Sequence, residues 1–221
     1  MGFELELREF VFGDKVVKLN VPKEEYVKSN YSIVKDSTST TPFPYWAKVW
    51  PAAVGLGSFI QKYPSYVINK EILELAAGLG LPSIVAASYA QSVCVSDYQS
   101  EALIAIDKSI LINRLNNVFT RLLDWNQLPA GISCDVLLLS DINYDPADFL
   151  ILEKVLKSFL KKGITIILST PQRLMAKPFI APLLPYCIQS SEIEVYLNEA
   201  TTMVSIFVLN DKGEKPSSTL A

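Results

Sequence analysis

Ile72-Leu73-Glu74-Leu75-Ala76-Ala77-Gly78-Leu79-Gly80-Leu81-Pro82 is the stretch that decides how this chain folds. A short apolar run ends in an acid, passes through small residues and two glycines, and meets a proline. That order predicts a strand, a tight turn and a helix start. Gly78 and Gly80 lack a Cβ, so the backbone there turns sharply and lets a ligand come close. Pro82 suits a first helical turn, where its missing N–H is not needed. A helix from Ser83 to Ala90 then points free N–H groups at whatever lies over the turn. Glu74, at the strand end, adds acceptors and negative charge. Backbone donors beside a carboxylate suit a zwitterion or a nucleoside better than a bare phosphate. A plain structural turn is the alternative, and the flanking segments weigh against it.

Downstream, Ser92-Val93-Cys94-Val95-Ser96-Asp97-Tyr98 reads as a buried strand that again ends in an acid. In nucleotide-binding α/β folds an acid at the second strand's end accepts hydrogen bonds from ribose hydroxyls. Asp97 also stands where a helix N-cap is wanted, ahead of Gln99-Ser100-Glu101. Helical spacing covers Ser100 to Asn113. A short strand, Val118 to Leu123, precedes Asp124-Trp125-Asn126, whose indole is either core or the wall of an adenine pocket. Cys134 to Asp141 is the clearest buried strand, followed by Ile142-Asn143-Tyr144-Asp145-Pro146. Asp145 and Pro146 mark a helix start and Gly163 its end. An apolar strand over Gly163–Thr170, an interrupted helix over Arg173–Leu184 and an antiparallel pair, Ile193–Leu197 with Thr202–Leu209, complete the pattern. Glu74, Asp97, Asp124 and Asp141 each end a strand. In a parallel sheet such ends share one rim, where ligands bind.

Upstream, Pro42-Phe43-Pro44-Tyr45-Trp46-Ala47-Lys48-Val49-Trp50-Pro51 is dense in aromatic rings. It either packs on a sheet edge or walls a flat ligand. A helix follows over Pro51–Lys62. Phe3–Phe12 and Lys15–Val21 alternate around Gly13-Asp14, the signature of a hairpin, and Glu24–Thr41 reads as a surface loop or a fraying helix. The expected organisation is a hairpin and loop extension over residues 1–41, one α/β domain over 42–210 and a polar tail over 211–221. The expected fold is a doubly wound, mostly parallel, seven-stranded Rossmann-like sheet ending in an antiparallel hairpin.

Composition narrows the function. Half of the 221 residues are apolar, which predicts a packed globule. The net charge of −3, with no basic cluster beyond Lys161-Lys162, argues against a nucleic-acid partner. No apolar run approaches the length of a membrane span, and the early acids Glu4 and Glu6 are unlike a signal peptide. The scattered Cys94, Cys134 and Cys187 fit neither a disulfide framework nor a zinc site, so a cytoplasmic setting is expected. With no histidine anywhere, Ser-His and Cys-His nucleophile pairs are excluded. Chemistry has to run on carboxylates, tyrosine, lysine, backbone donors or a bound cofactor.

These motifs, in this order, resemble the class I S-adenosylmethionine-dependent methyltransferases, and among them the family-16 group of lysine and nicotinamide N-methyltransferase-like enzymes. Glu74-Leu-Ala-Ala-Gly-Leu-Gly80 is similar to the family's first motif. The resemblance implies that Ala76, Ala77 and Gly78 lie under the methionine part of the cofactor, that Gly80 also binds it, and that Asp97, followed by Tyr98, holds the ribose. It implies that Asp124-Trp125 and Val49-Trp50-Pro51 border the cofactor, that Ser140 takes a small-residue position, and that Asp141 and Tyr144 of an Asp-x-x-Tyr signature orient the acceptor. Tyr45 and Trp46 are expected to wall the acceptor channel. No metal is implied. Ala76 stands where the family usually has glycine, and a positive φ there strains alanine by about 1 kcal/mol. The implied reaction is direct displacement at a sulfonium methyl, in which positioning contributes roughly 7–11 kcal/mol. A lysine acceptor, with a free pKa of about 10.4, must first lose its proton. A protein lysine and a small-molecule amine are both expected acceptors. The competing readings are a nicotinamide-dinucleotide oxidoreductase, which Gly78-x-Gly80-x-x-Ser83 partly fits, and a non-catalytic cofactor binder.

Overall fold

A computed structural model describes residues 3–28, 44–143, 145–172 and 176–212. The strands are β1 (Leu5–Phe12), β2 (Lys15–Pro22), β3 (Glu71–Glu74), β4 (Ser92–Asp97), β5 (Val118–Leu122), β6 (Val136–Ser140), β7 (Thr165–Pro171), β8 (Cys187–Leu197) and β9 (Ala200–Leu209). The helices are α1 (Pro51–Lys62), α2 (Leu81–Ala86), α3 (Ser100–Ile112), α4 (Phe149–Lys161) and α5 (Lys177–Ile180).

β3 and β6 read as apolar runs because helices cover both of their faces. Their side chains alternate between two cores. Ile72, Val136 and Leu138 face α1, α2 and α3, whereas Leu73, Leu137 and Leu139 face α4. The seven strands lie in the order β5-β4-β3-β6-β7-β9-β8. β5, β4, β3, β6 and β7 are mutually parallel, β9 runs antiparallel to β7, and β8 runs antiparallel to β9. From β3 the chain winds outward to β5, then returns to pair β6 on the other side of β3. This reversal opens a crevice at the C-terminal ends of β3 and β6, the place where open α/β sheets bind ligands. The expected doubly wound sheet with its terminal hairpin is the observed one.

β1 and β2 form a separate antiparallel hairpin. It is anchored to α3, where the backbone N–H groups of Lys18 and Asn20 donate to Asn113 Oδ1 and Ser109 Oγ at 3.0 and 2.9 Å. Phe12 enters the core because Gly57 of α1 makes room: a Cβ there would meet the Phe12 ring at 2.8 Å.

Several bounds differ from the sequence expectation. α2 ends at Ala86, not Ala90, because Asn117 Nδ2 donates to the carbonyls of Ala87 and Ala90 at 2.9 and 3.0 Å and terminates the helix. Asp145 does cap, accepting from Ala147 N at 2.9 Å, but it caps a 3-10 turn, Pro146–Asp148, and α4 begins only at Phe149. β8 starts six residues earlier than its alternating half suggests, as an edge strand held by β9. Residues 24–28 form a helical turn; the rest of the expected loop, Arg173 of the interrupted helix, and Tyr144 lie outside the described residues. Among the described residues no helix is long and apolar enough to cross a membrane.

Candidate functional site

A cavity of about 310 Å³ opens at the crevice between β3 and β6. Its floor is the turn Ala76–Gly80. The turn bends because Ala76, Gly78 and Gly80 all take positive φ, at 51°, 57° and 69°. Gly78 is pressed against the aromatic segment, since a Cβ there would stand 3.4 Å from the Trp46 carbonyl oxygen. Ala76 is therefore strained, as a non-glycine residue in left-handed backbone.

Little of the turn's polarity is directed at the cavity. Ala77 N donates to the Ser96 carbonyl at 2.9 Å, Gly78 N to Asp97 Oδ2 at 2.9 Å, and Gly80 N to the Ala77 carbonyl at 2.9 Å. One of the N–H groups expected to be free at the start of α2 is also engaged: Ser83 N and Oγ both donate to Glu74 Oε2, the former at 3.1 Å. This corrects the expected role of Glu74. It is fully buried, lies outside the cavity wall, and ties the strand end to α2 instead of facing a ligand. Its other oxygen, Oε1, has no hydrogen-bond partner among the described residues. Burial pushes its carboxyl up to about 8 against the opposing pull of Ser83, with Asp97 adding to the rise.

Asp97 does line the cavity. Gln99 N donates to its Oδ1 at 3.0 Å, opposite the Gly78 bond to Oδ2. The carboxylate keeps lone-pair capacity for a ligand hydroxyl. Burial still holds this carboxyl above the ordinary range, although N–H groups of Gln99, Gly78 and Tyr98 pull the other way. Half-exposed Tyr98 and half-buried Trp125 give the same end of the wall two flat rings. Asp124 is a second correction. It lies outside the cavity wall and caps the 3-10 turn Trp125–Gln127, accepting from Asn126 N at 2.8 Å.

The opposite wall comes from the end of β6 and from the aromatic segment. Ser140 and Asp141 both line it, and Asp141 sits in left-handed backbone at φ 53°, with its N–H donating to the Ser169 carbonyl at 2.9 Å. Next to it Asn143 is 3% exposed, and neither polar atom of its side chain has a hydrogen-bond partner among the described residues. A buried amide left unsatisfied is uncommon. Trp50 is fixed by its indole N–H, which donates to the Tyr45 carbonyl at 2.9 Å, and the Tyr45 and Trp50 rings meet at 6.1 Å. Tyr45 and Trp46 also line the cavity, Trp46 with its ring edge-on to Phe3 at 4.9 Å.

The cavity thus gathers Trp50, Ala76, Ala77, Gly78, Gly80, Asp97, Tyr98, Trp125, Ser140 and Asp141. It also contains residues that sequence reasoning missed. Lys48 stands between the two tryptophans of the aromatic segment, Gln99 follows the Asp97-Tyr98 strand end directly, and Ile142 follows Asp141. Their positions beside recognised motifs were the available signal. Among the described residues no acid or cysteine cluster is arranged to hold a metal.

The comparisons with known proteins agree with this picture. The fold resembles that of the T. thermophilus 16S rRNA methyltransferase RsmC, solved with AdoMet and guanosine, at a TM-score of 0.62, with 12% identity over 93% of this chain and 50% of that one. In sequence the chain is 31% identical over 111 residues to the histone-arginine methyltransferase METTL23 of Xenopus laevis, covering 48% of this chain and 47% of that protein. It is 29% identical over 144 residues to the protein-lysine N-methyltransferase EFM3 of Chaetomium thermophilum, covering 57% of this chain and 42% of that protein. The chain thus spans less than half the length of either relative. A family model described as lysine methyltransferase matches residues 41–182, the stretch that holds every wall of the cavity, and the chain belongs to that family.

Proposed function

We propose that this protein is an S-adenosylmethionine-dependent N-methyltransferase whose acceptor is a side-chain nitrogen of a protein, a lysine in the first instance. The observation that carries this is the pairing, across one cavity, of a buried acid beside two flat rings with a second acid on strained backbone.

The residues present fit the cofactor. Asp97 has lone pairs for the ribose hydroxyls. Tyr98 and Trp125 offer faces to the adenine. Ala76, Ala77, Gly78 and Gly80 leave a bare, bent backbone for the methionine part, and Trp50 and Ser140 close the sides. The carboxyls of Asp97 and Asp141 in the wall suit a ligand carrying positive charge. Bound there, S-adenosylmethionine supplies a methyl carbon already activated by its sulfonium, open to in-line displacement by the acceptor's lone pair. Glycine-turn donors tied inside the protein keep the floor rigid, so little reorganisation is needed when the ligand enters. Asp141 orients the acceptor nitrogen. A carboxylate favours the charged amine, so its role is placement and not deprotonation. Lys48, in the same wall, has the opposite effect and favours the neutral amine that reacts. Tyr144 joins Asp141 on the strength of the motif alone.

The relatives divide over the acceptor, one named for arginine and one for lysine. Lysine is preferred because the matched family is described by it. A small amine is the remaining acceptor class. The test is incubation with methyl-labelled S-adenosylmethionine and cell lysate, followed by acid hydrolysis. Label in protein recovered as methyl-lysine supports the proposal. Methyl-arginine moves the acceptor, and label confined to small molecules overturns it.

A further inference from the structure

A second cavity, of about 470 Å³, lies directly behind the first. The two share Pro44, Lys48, Val49 and Trp50, so the wall between them is one strand of chain thick. Its remaining walls come from far apart in sequence. Arg8 and Pro22 of the N-terminal hairpin and Lys28 of the following turn form one side. Leu197, Asn198 and Glu199, at the tip of the β8–β9 hairpin, form the other. That tip reaches the cofactor rim because β9 runs antiparallel to β7, so the hairpin turns over at the end where the parallel strands stop.

Two features say what this groove takes. The first is its origin. Every residue of the first cavity lies within the family-matched stretch 41–182, but Arg8, Pro22, Lys28 and Glu199 lie outside it. The cofactor cavity is built wholly from the family-matched stretch, whereas the groove adds to Pro44, Lys48, Val49 and Trp50 residues from outside it, and such added walls are where acceptor choice is expected to reside. The second is charge. Arg8 is held by Glu6 at 2.7 Å and Lys28 by Glu24 at 2.8 Å, so these cations are already neutralised. Lys48 lies over the Trp50 ring, 5.1 Å from its centroid. Glu199, exposed and projected by the two positive-φ residues of the turn (Asn198 at 50°, itself at 61°), has no hydrogen-bond or ion-pair partner among the described residues. Beside it β8 is the outer strand of the sheet, so an extended chain has backbone to run along.

We infer that this groove seats the extended polypeptide that carries the methyl acceptor, with Glu199 receiving a basic side chain next to the methylated residue. The inference rests on the protein-acceptor proposal above. The test uses the full chain saturated with S-adenosylhomocysteine, whose own binding is measured first. A fluorescein-labelled decapeptide of alternating glycine and lysine, and its glycine–glutamate counterpart, are titrated against it by anisotropy. The lysine peptide binds and the glutamate peptide does not. Glu199→Lys weakens the lysine peptide by about fivefold or more, the scale of one exposed ion pair lost and reversed. Glu199→Asp restores it, and Glu71→Lys, the same charge change at the N-terminal end of the interior strand β3, on the opposite rim of the sheet, leaves it unaltered. If Glu71→Lys costs as much as Glu199→Lys, attraction is to net charge and the groove is overturned. It is also overturned if neither peptide binds a protein that does bind S-adenosylhomocysteine. Failure to bind S-adenosylhomocysteine at all strikes the cofactor proposal instead.

Discussion

The ends of β3 and β6 are neighbours in the sheet, yet they are built on opposite plans. After β3 much of the turn's polarity is met from within, although Ala76 is strained there and Glu74 Oε1 has no hydrogen-bond partner among the described residues. The turn's N–H groups go to Ser96, Asp97 and Ala77, and Glu74 is drawn into the protein by Ser83. After β6 the chain keeps a strained Asp141 and an Asn143 whose buried amide has no hydrogen-bond partner among the described residues. A satisfied loop is a rigid surface to lay a ligand on, whereas strain and unmet polarity persist where surrounding structure holds them for use. On the function proposed above, the first end shapes the cofactor site and the second handles the acceptor.

Substitutions can break that contrast. The largest effect is expected at Asp141. Asp141→Ala should lower methyl transfer by about 100-fold, the cost of a misplaced reactant, while S-adenosylhomocysteine binding by calorimetry stays close to wild type. Parallel loss of both would make the β6 end part of the cofactor cradle. At Asn143 the expectation is opposed changes. Asn143→Leu removes an unsatisfied buried amide worth about 1–3 kcal/mol, so the thermal midpoint rises as turnover falls. A lower midpoint would show that the amide has a structural partner.

Glu74 tests the first end through pH. Its folded carboxyl is raised to about 8 from 4.5, so its stabilising contribution is complete below about 4.5, where folded and unfolded chains both hold the proton. It is lost as pH rises through about 8, when folding must bury a charge. Urea midpoints of the ligand-free protein should therefore fall across that window, and Glu74→Gln should flatten the fall. An unchanged slope would move the proton elsewhere. The smallest effect is at Ala76. Ala76→Gly relieves about 1–2 kcal/mol of left-handed strain but adds about 0.4–1 kcal/mol of unfolded-state entropy. Stability should rise by under about 1 kcal/mol, with cofactor affinity held or improved. A loss of affinity would mean that the Ala76 methyl makes a contact the ligand needs.

How much of this is legible in sequence depends on how far apart the interacting residues lie. Central strands such as β6 announce themselves because burial on both faces demands an unbroken apolar run. The glycine turn, Asp97 and Asp141 are legible because each follows such a run directly. The true partner of Glu74 is not, since Ser83 meets it only when α2 folds back over the strand end. Nor is the early half of β8: Cys187–Glu192 lacks alternation, and its pairing with β9 alone makes it a strand. The groove was hidden for the same reason, its walls being assembled from residues 8, 22, 28 and 199.

The central claim is that the crevice between β3 and β6 takes S-adenosylmethionine. The most direct measurement is calorimetric titration of the protein with S-adenosylmethionine and, separately, with NADH. One-to-one binding of S-adenosylmethionine, lost in Asp97→Ala and absent for NADH, is the predicted result. Binding of NADH in its place, or S-adenosylmethionine binding unaffected by Asp97→Ala, would contradict it.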